Sequence, residues 1–218
     1  FTSETARRYG LVVNSEIDER NDPERSSQAA ARFLRDLYDT FDDWELALAA
    51  YNAGPGRVQR AMAMKPDADF WQLADSGLLP STTRNYVPQV LAAALVASKP
   101  DSFGLANISR PEPLQYETFL VAKRLDVRTI ASLAGSEPST VAALNPALTK
   151  GVVPAVSGGF EVRLPSGTRE QFEARYTALI HREAVDPGEW SGGRSRAVAS
   201  VSSRSRSAKS ARSPAERA

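Results

Sequence analysis

The sequence predicts a mainly α-helical fold, in which a helical domain is followed by a small α+β module and then by a disordered basic tail. Three observations predict it. Between residues 22 and 97, apolar residues recur at helical spacing behind Asp, Ser and Thr capping signals. After a polar, proline-containing stretch at 99–113, the pattern shortens to strand, two short helices and strand. From 191 to 218 the chain is rich in Ser, Arg, Ala and Gly and holds too little apolar surface to order itself. The expected divisions are 1–105 for the helical domain, 106–113 for the linker, 114–185 for the α+β module and 186–218 for the tail.

Each element has its own local cause. Residues 2–9 read as helix, stopped by Gly10. Residues 11–21 show no period and read as a polar loop. Asp22-Pro23 is a start signal, with Asp to cap orphan amides and Pro suited to the first helical position. Ala29, Ala30, Phe33, Leu34, Leu37, Tyr38 and Phe41 then form one apolar face. Asp42 or Asp43 caps a helix that is apolar almost all round through Trp44, Leu46, Ala47, Leu48, Ala50 and Tyr51, as a buried central helix should be. It stops at Asn52-Ala53-Gly54-Pro55-Gly56, and a short helix follows to about Met64. A short helical or turn segment holds Phe70, Trp71 and Leu73. Ser81 or Thr82 caps a longer helix with a stripe of Tyr86, Val90, Leu91, Ala94 and Leu95, and with Pro88 in its first turns. In the module, 114–120 and 160–164 read as strands, 126–133 and 138–144 as short helices, and 170–182 as a closing helix.

Composition narrows the chemistry. With 42% apolar and 24% charged residues in 218, the body is globular and long enough to bury a core. The longest apolar run, near 90–97, is far short of the roughly 20 residues a membrane span needs. There is no cysteine, so disulfides and thiolate metal sites are excluded. The single histidine, His181, has no partner motif and reads as a surface helix residue; no metal and no cofactor is expected. The net charge of +1 is unevenly spread: residues 191–218 carry seven Lys/Arg and one acid, which leaves 20 basic and 25 acidic residues in the rest. No signal segment opens the chain, and a start at Phe1 within a helical pattern reads as a truncation.

The stretch Ala49-Ala50-Tyr51-Asn52-Ala53-Gly54-Pro55-Gly56 concentrates the chemistry. An apolar helix ends by presenting Tyr and Asn at a glycine-rich turn. Glycine lets a polymer approach the backbone, Tyr offers a hydroxyl beside an apolar wall, and Asn offers both donor and acceptor. Those are the parts of a sugar cleft. They are also the parts of a plain helix end with a core tyrosine, and spacing alone leaves both readings open.

Ala50-Tyr51-Asn52-Ala53-Gly54 with Gly56 and Val58 resembles the AYNAG signature of family 1 lytic transglycosylases. Asp22-Pro23, Ala29-Ala30, Arg32, Leu34, Tyr38, Asp43-Trp44 and Leu46-Ala47-Leu48 follow that family's pattern in order. Thr83-Arg84-Asn85-Tyr86-Val87-Pro88 resembles its TRNYVPK segment, with Gln89 in the lysine place. Phe1 and Thr5-Ala6 resemble the end of its GLWQFMPxTA segment, and the membrane-bound D subgroup has the nearest pattern. The resemblance covers about 1–105 and implies a lysozyme-like helical domain lacking its N-terminal part. It implies cleavage of the β-1,4 bond between N-acetylmuramic acid and N-acetylglucosamine in peptidoglycan, with 1,6-anhydromuramyl ends formed without water. The family works with one glutamate of raised pKa, acting first as acid and then as base. That glutamate is expected upstream of Phe1, so no catalytic residue is expected in this chain and the chain alone is expected to be inactive. Among the acids present, Glu4, Glu16, Glu19 and Glu24 lie in polar or capping surroundings, and Glu45 beside Trp44, the least implausible substitute, reads as a solvent-side helix residue. The implied substrate-binding residues are Tyr51, Asn52, Ala53, Gly54 and Tyr86. A non-catalytic peptidoglycan-binding protein is the alternative.

The second module resembles a LysM-like carbohydrate-binding fold through Leu125-Asp126-Val127, Ile130-Ala131, Gly135, 141–146 and Val162-Arg163-Leu164-Pro165. It departs in its opening, Arg124-Leu125-Asp126-Val127, and in the long stretch 149–159. Spacer and sugar binder both fit; a binder would use backbone groups flanking 126–129 and 145–147. The expected partners are peptidoglycan glycan strands, together with an anionic envelope surface for the basic tail. No nucleic-acid partner is expected, since Trp190 is the tail's only neighbouring aromatic. The resemblance implies a periplasmic or outer-membrane-associated site.

Overall fold

The structure, a computed structural model, describes residues 1–108 and 112–185. The expected tail at 186–218 lies outside the described residues, as do 109–111 of the expected linker. The compact unit Phe1–Thr177 contains both the helical domain and most of the module; of a second unit, Ala178–Ala218, only 178–185 is described, and it is helical. Among the described residues the chain is mainly helical, as its patterning predicts, and the strands lie in its second half.

The helical part begins with α1 (Ser3–Arg8), capped by the Thr2 hydroxyl. Helix α2 (Pro23–Phe41) starts where the Asp22-Pro23 signal places it, with the Asp22 carboxylate accepting from the amides of Glu24 and Arg25. Of the two candidate caps at 42–43, Asp43 caps α3 (Trp44–Ala53), while Asp42 takes a left-handed conformation and closes α2. Helix α3 is buried from Leu46 to Ala50 and packs between α2, α4 (Pro55–Met64) and α6 (Ser81–Ser98). The short α5 (Phe70–Asp75) is held by a capping box between Asp69 and Gln72 and sinks Phe70 and Leu73 into the same core.

Three expectations change. Residues 11–21 are not a solvated loop: Leu11, Val13, Ile17 and Glu19 are buried. Val13 bridges Asp18, and a 3-10 turn occupies Glu19–Asn21. Their aperiodic pattern hid a strap that is held by single bridges rather than by a regular element. Helix α6 is preceded by Pro80 with no side-chain cap, because Ser81 and Thr82 already lie within it. Pro88 is the eighth residue of that helix, so the Arg84 carbonyl loses its usual amide donor.

In the module, β1 (Tyr116–Val121) pairs antiparallel with β4 (Phe160–Pro165), Phe119 facing Val162 in register. A second two-stranded pair, β2 (Leu125–Asp126) with β3 (Val152–Val153), was not legible in the sequence. Helix α7 (Val127–Ala134) is capped by Asp126, and α8 (Pro138–Leu144) follows. Helix α9 (Arg169–Val185) lays Phe172 and Tyr176 against Phe119, ring centres 5.0 and 5.4 Å away. Asn145, buried at the end of α8, accepts from the Arg163 amide and donates to the carbonyls of Arg163 and Val141, tying α8 to β4.

Candidate functional site

The end of α3 forms the site's floor. Burial of Leu46 to Ala50 drives that helix through the core and delivers Tyr51 and Asn52 at its last turn. Gly54 then adopts φ 88° and ψ 138°, outside the range open to ordinary residues, and Pro55 opens α4 at once. The reversal is therefore a joint between two helices, and it leaves Ala53 and Gly54 on an open surface. A Cβ on Gly54 would meet nothing within 4 Å, so the backbone angle alone requires glycine there.

Two cavities of about 450 Å³ each meet at Tyr51 and Phe1. The first is walled by Thr2, Thr5, Phe33 and 50–55, and so contains Tyr51, Asn52, Ala53 and Gly54. The second is walled by Arg20, Asn21, Ser26, Ser27 and Ala30. Tyr51 packs against Phe33 at 5.4 Å between ring centres and edge-on to Phe1 at 6.1 Å. Tyr86 lines neither cavity; it is half-buried against the helical core. Burial raises the pKa of both Tyr51 and Tyr86, and the neighbouring Tyr51 adds to the rise at Tyr86. Both phenols are therefore neutral hydrogen-bonding groups near pH 7.

Asn52 is oriented from behind. The hydroxyl of Thr83, fully buried on α6, donates to Asn52 Oδ1 at 2.9 Å. With its oxygen engaged, Asn52 keeps two amide N–H groups for a ligand. Sequence reasoning placed Thr83 in a motif but gave it no role, because a separation of 31 positions carries no local signal. It also missed the second cavity wall. Arg20 there is paired at 2.6 Å with Asp18, so that wall presents hydroxyl and amide groups beside a neutralised cation.

No carboxylate lines either cavity among the described residues. Glu4 is exposed on α1. Glu16 pairs with Arg124 at 2.7 Å, and Glu19 is buried against Arg25 and the Val12 amide. Glu24 binds Arg163, at 3.0 Å. Glu45 stands in the first turn of α3, six residues or roughly 9 Å along the axis from Tyr51. The cavities can bind a neutral polyhydroxylated chain through aromatic faces, amides and hydroxyls, and they hold no acid for bond cleavage.

The module meets the helical part along the strap. Ile17 bridges Leu148; the Asp18 amide donates to the Ala147 carbonyl at 2.8 Å and the Thr149 amide to the Glu16 carbonyl at 3.1 Å. Asn145 and Ala147 are buried and engaged, and the Asp126 carboxylate caps Thr129. The Arg163 guanidinium reaches Asp22 at 2.8 Å, with side chains 12% and 5% exposed, and stacks on Tyr116.

Comparison with known proteins finds two matching stretches. Residues 1–74 match the transglycosylase SLT domain, and 115–180 match the LysM-like domain of lytic transglycosylase MltD. The chain is 30% identical over 190 residues to membrane-bound lytic murein transglycosylase D of Escherichia coli K12, an alignment covering 85% of this chain and 39% of that protein. It is 34% identical over 108 residues to the peptidoglycan transglycosylase gp16 of Escherichia phage T7, covering 48% of this chain and 8% of that one. The chain thus spans well under half the length of these relatives. A match to an SLT domain followed by a match to an MltD LysM-like domain is the order its motifs predict, and it makes the chain similar to the lytic transglycosylases.

Proposed function

We propose that this chain supplies the glycan-facing floor of a peptidoglycan lytic transglycosylase. The full protein cleaves the β-1,4 bond between N-acetylmuramic acid and N-acetylglucosamine and leaves 1,6-anhydromuramyl ends. The observation that carries the reading is the pair of cavities joined at Tyr51, lined by aromatic rings, amides and hydroxyls and, among the described residues, by no carboxylate. Such walls bind sugar without cleaving it, so the acid comes from a glutamate upstream of Phe1, working across the cleft from Tyr51. That glutamate protonates the departing glycosidic oxygen and then takes the proton from the C6 hydroxyl as that oxygen closes on C1. Tyr51 and Asn52 orient the sugar or the glutamate, the Ala53-Gly54 backbone lets the strand pass closely, and Tyr86 shapes the same region through Tyr51.

The proposed domains are 1–105 for the transglycosylase part, 106–113 for the linker, 114–185 for the LysM-like part and 186–218 for a basic tail that contacts the anionic envelope. No helix among the described residues is long and apolar enough to cross a membrane. The E. coli relative is named as membrane-bound, and an envelope location, periplasmic or at the outer membrane, fits this substrate. The absence of an acid from both cavities favours a second reading for the chain taken alone, as a peptidoglycan binder without turnover. Purified sacculi incubated with the full-length protein, read by mass spectrometry, test both. Anhydro-ended muropeptides support the transglycosylase; reducing ends indicate a hydrolytic muramidase; binding without products leaves the binder.

A further inference from the structure

The second cavity wall is built from two short segments that flank one residue. Arg20 and Asn21 precede Asp22, and Ser26, Ser27 and Ala30 follow it on α2. Asp22 therefore sets where both halves of that wall stand. Its carboxylate is almost fully buried, caps α2, and is gripped by both terminal nitrogens of Arg163, at 2.8 and 3.2 Å. A buried bidentate guanidinium–carboxylate pair is directional and fixes its partner in one geometry. Arg163 is itself fixed: Asn145 clamps its backbone from both sides, Tyr116 lies under its guanidinium at 4.8 Å, and Glu24 takes its second nitrogen. The main-chain bonds of 16–18 to 147–149 run parallel to this grip and hold the strap that leads to Arg20. The cap bonds belong to α2 itself, whereas the Arg163 grip and the 147–149 bonds come from the LysM-like module.

We infer that Arg163 is a positioning residue for the glycan site, and that the LysM-like module serves as a structural buttress of that site. Its 145–149 turn, one of the places where a sugar-binding module of this kind would take its ligand, is spent on the strap. The inference rests on the second cavity being part of the glycan cleft.

The test uses the full-length protein with purified glycan strands. Arg163→Met alone leaves the buried Asp22 with only its cap amides and Arg25 at 3.9 Å, and its folding is at risk. The double variant Arg163→Met with Asp22→Asn removes both charges and keeps a good helix cap, so it isolates positioning from folding. It is expected to fold, to raise KM about tenfold and to hold kcat within about twofold, the signature of lost ground-state alignment. Hydrogen exchange at the amides of 20–27 is expected to quicken by about tenfold, and Arg163→Lys to restore part of the KM but not all, since ammonium cannot grip both oxygens. A folded double variant with wild-type KM overturns the inference, and so does a fall in kcat with KM unchanged. If the wild-type protein yields no products, the proposed function fails on its own; the same variants are then read by their dissociation constants for glycan strands, where unchanged binding still overturns the positioning role.

Discussion

Thr83 offers a test in which stability and binding should separate. Its hydroxyl sits in a fully buried side chain and makes a 2.9 Å hydrogen bond to Asn52 at the cavity wall. Thr83→Val keeps the shape and replaces hydroxyl by methyl. The lost hydrogen bond costs about 1 kcal/mol net, while burying a methyl in place of a hydroxyl returns a similar amount. Folding stability should therefore move by less than about 1 kcal/mol. Asn52 loses the contact that orients its amide, and fixing that rotor on binding then costs about 1 kcal/mol, or roughly fivefold in affinity for glycan strands. Thr83→Ser does the reverse: it keeps the hydroxyl, removes one buried methyl, and should lose about 1 kcal/mol of stability with affinity retained. Urea denaturation gives the first quantity and calorimetric titration with glycan strands the second. A valine variant that binds like wild type, or a serine variant that binds worse than the valine one, would refute the positioning argument for Asn52.

The other predictions concern the frame around the site. Asn145→Ala strands the amide and carbonyl of Arg163 and the Val141 carbonyl, and should cost about 3 kcal/mol in urea denaturation; a loss under about 1 kcal/mol would show that water replaces those bonds. Gly54→Ala introduces no clash yet forces a side chain into a positive-φ backbone, so a cost of about 1–3 kcal/mol is expected, all of it conformational. Acidification should loosen the strap. The hydrogen bond from Arg124 holds the Glu16 carboxyl below its usual range, and that from Arg20 does the same for Asp18. Depressed folded values mean stability that is present above the unfolded pKa, roughly 4, and lost as pH falls through the folded values. The melting temperature should hold from pH 7 to 5 and drop below pH 4, and a rise on acidification would contradict the assignment.

The elements legible in the sequence are those whose cause is local. Asp22-Pro23 is a cap signal that acts within three residues, and the structure uses it as a cap. The apolar spacing on α2 marks the buried Ala29 and Leu37 and the half-buried Phe33 and Leu34. The Tyr51–Gly54 turn was legible as a motif, and its cavity follows from Gly54 and Pro55. What was illegible depends on distant partners. The β2–β3 pair joins two residues to two others across 26 positions, too short for alternation to register. The partnership of Thr83 with Asn52, and the walls offered by Arg20 and Ser27, likewise appear only once helices meet.

The strap at 11–21 shows why a polar, aperiodic segment can be the most constrained part of a site. Glu19, Asp18 and Glu16 made it look solvated, yet each carboxylate has a guanidinium partner, respectively Arg25, Arg20 and Arg124. Isolated β-bridges at Val13 and Ile17 hold the main chain between them. A segment held by side-chain charges and single bridges has no period to betray it, because each residue answers to a different neighbour. Polar residues suit this work, since they bind the backbone and the module on one side and still face the cleft on the other. An apolar strap of the same length would bury as well but would leave the second cavity without its amide and hydroxyl wall. The pairs of Asp18 and Glu16 are thus better understood as fixing where Arg20 and Asn21 stand than as adding stability, which partly exposed pairs supply only weakly.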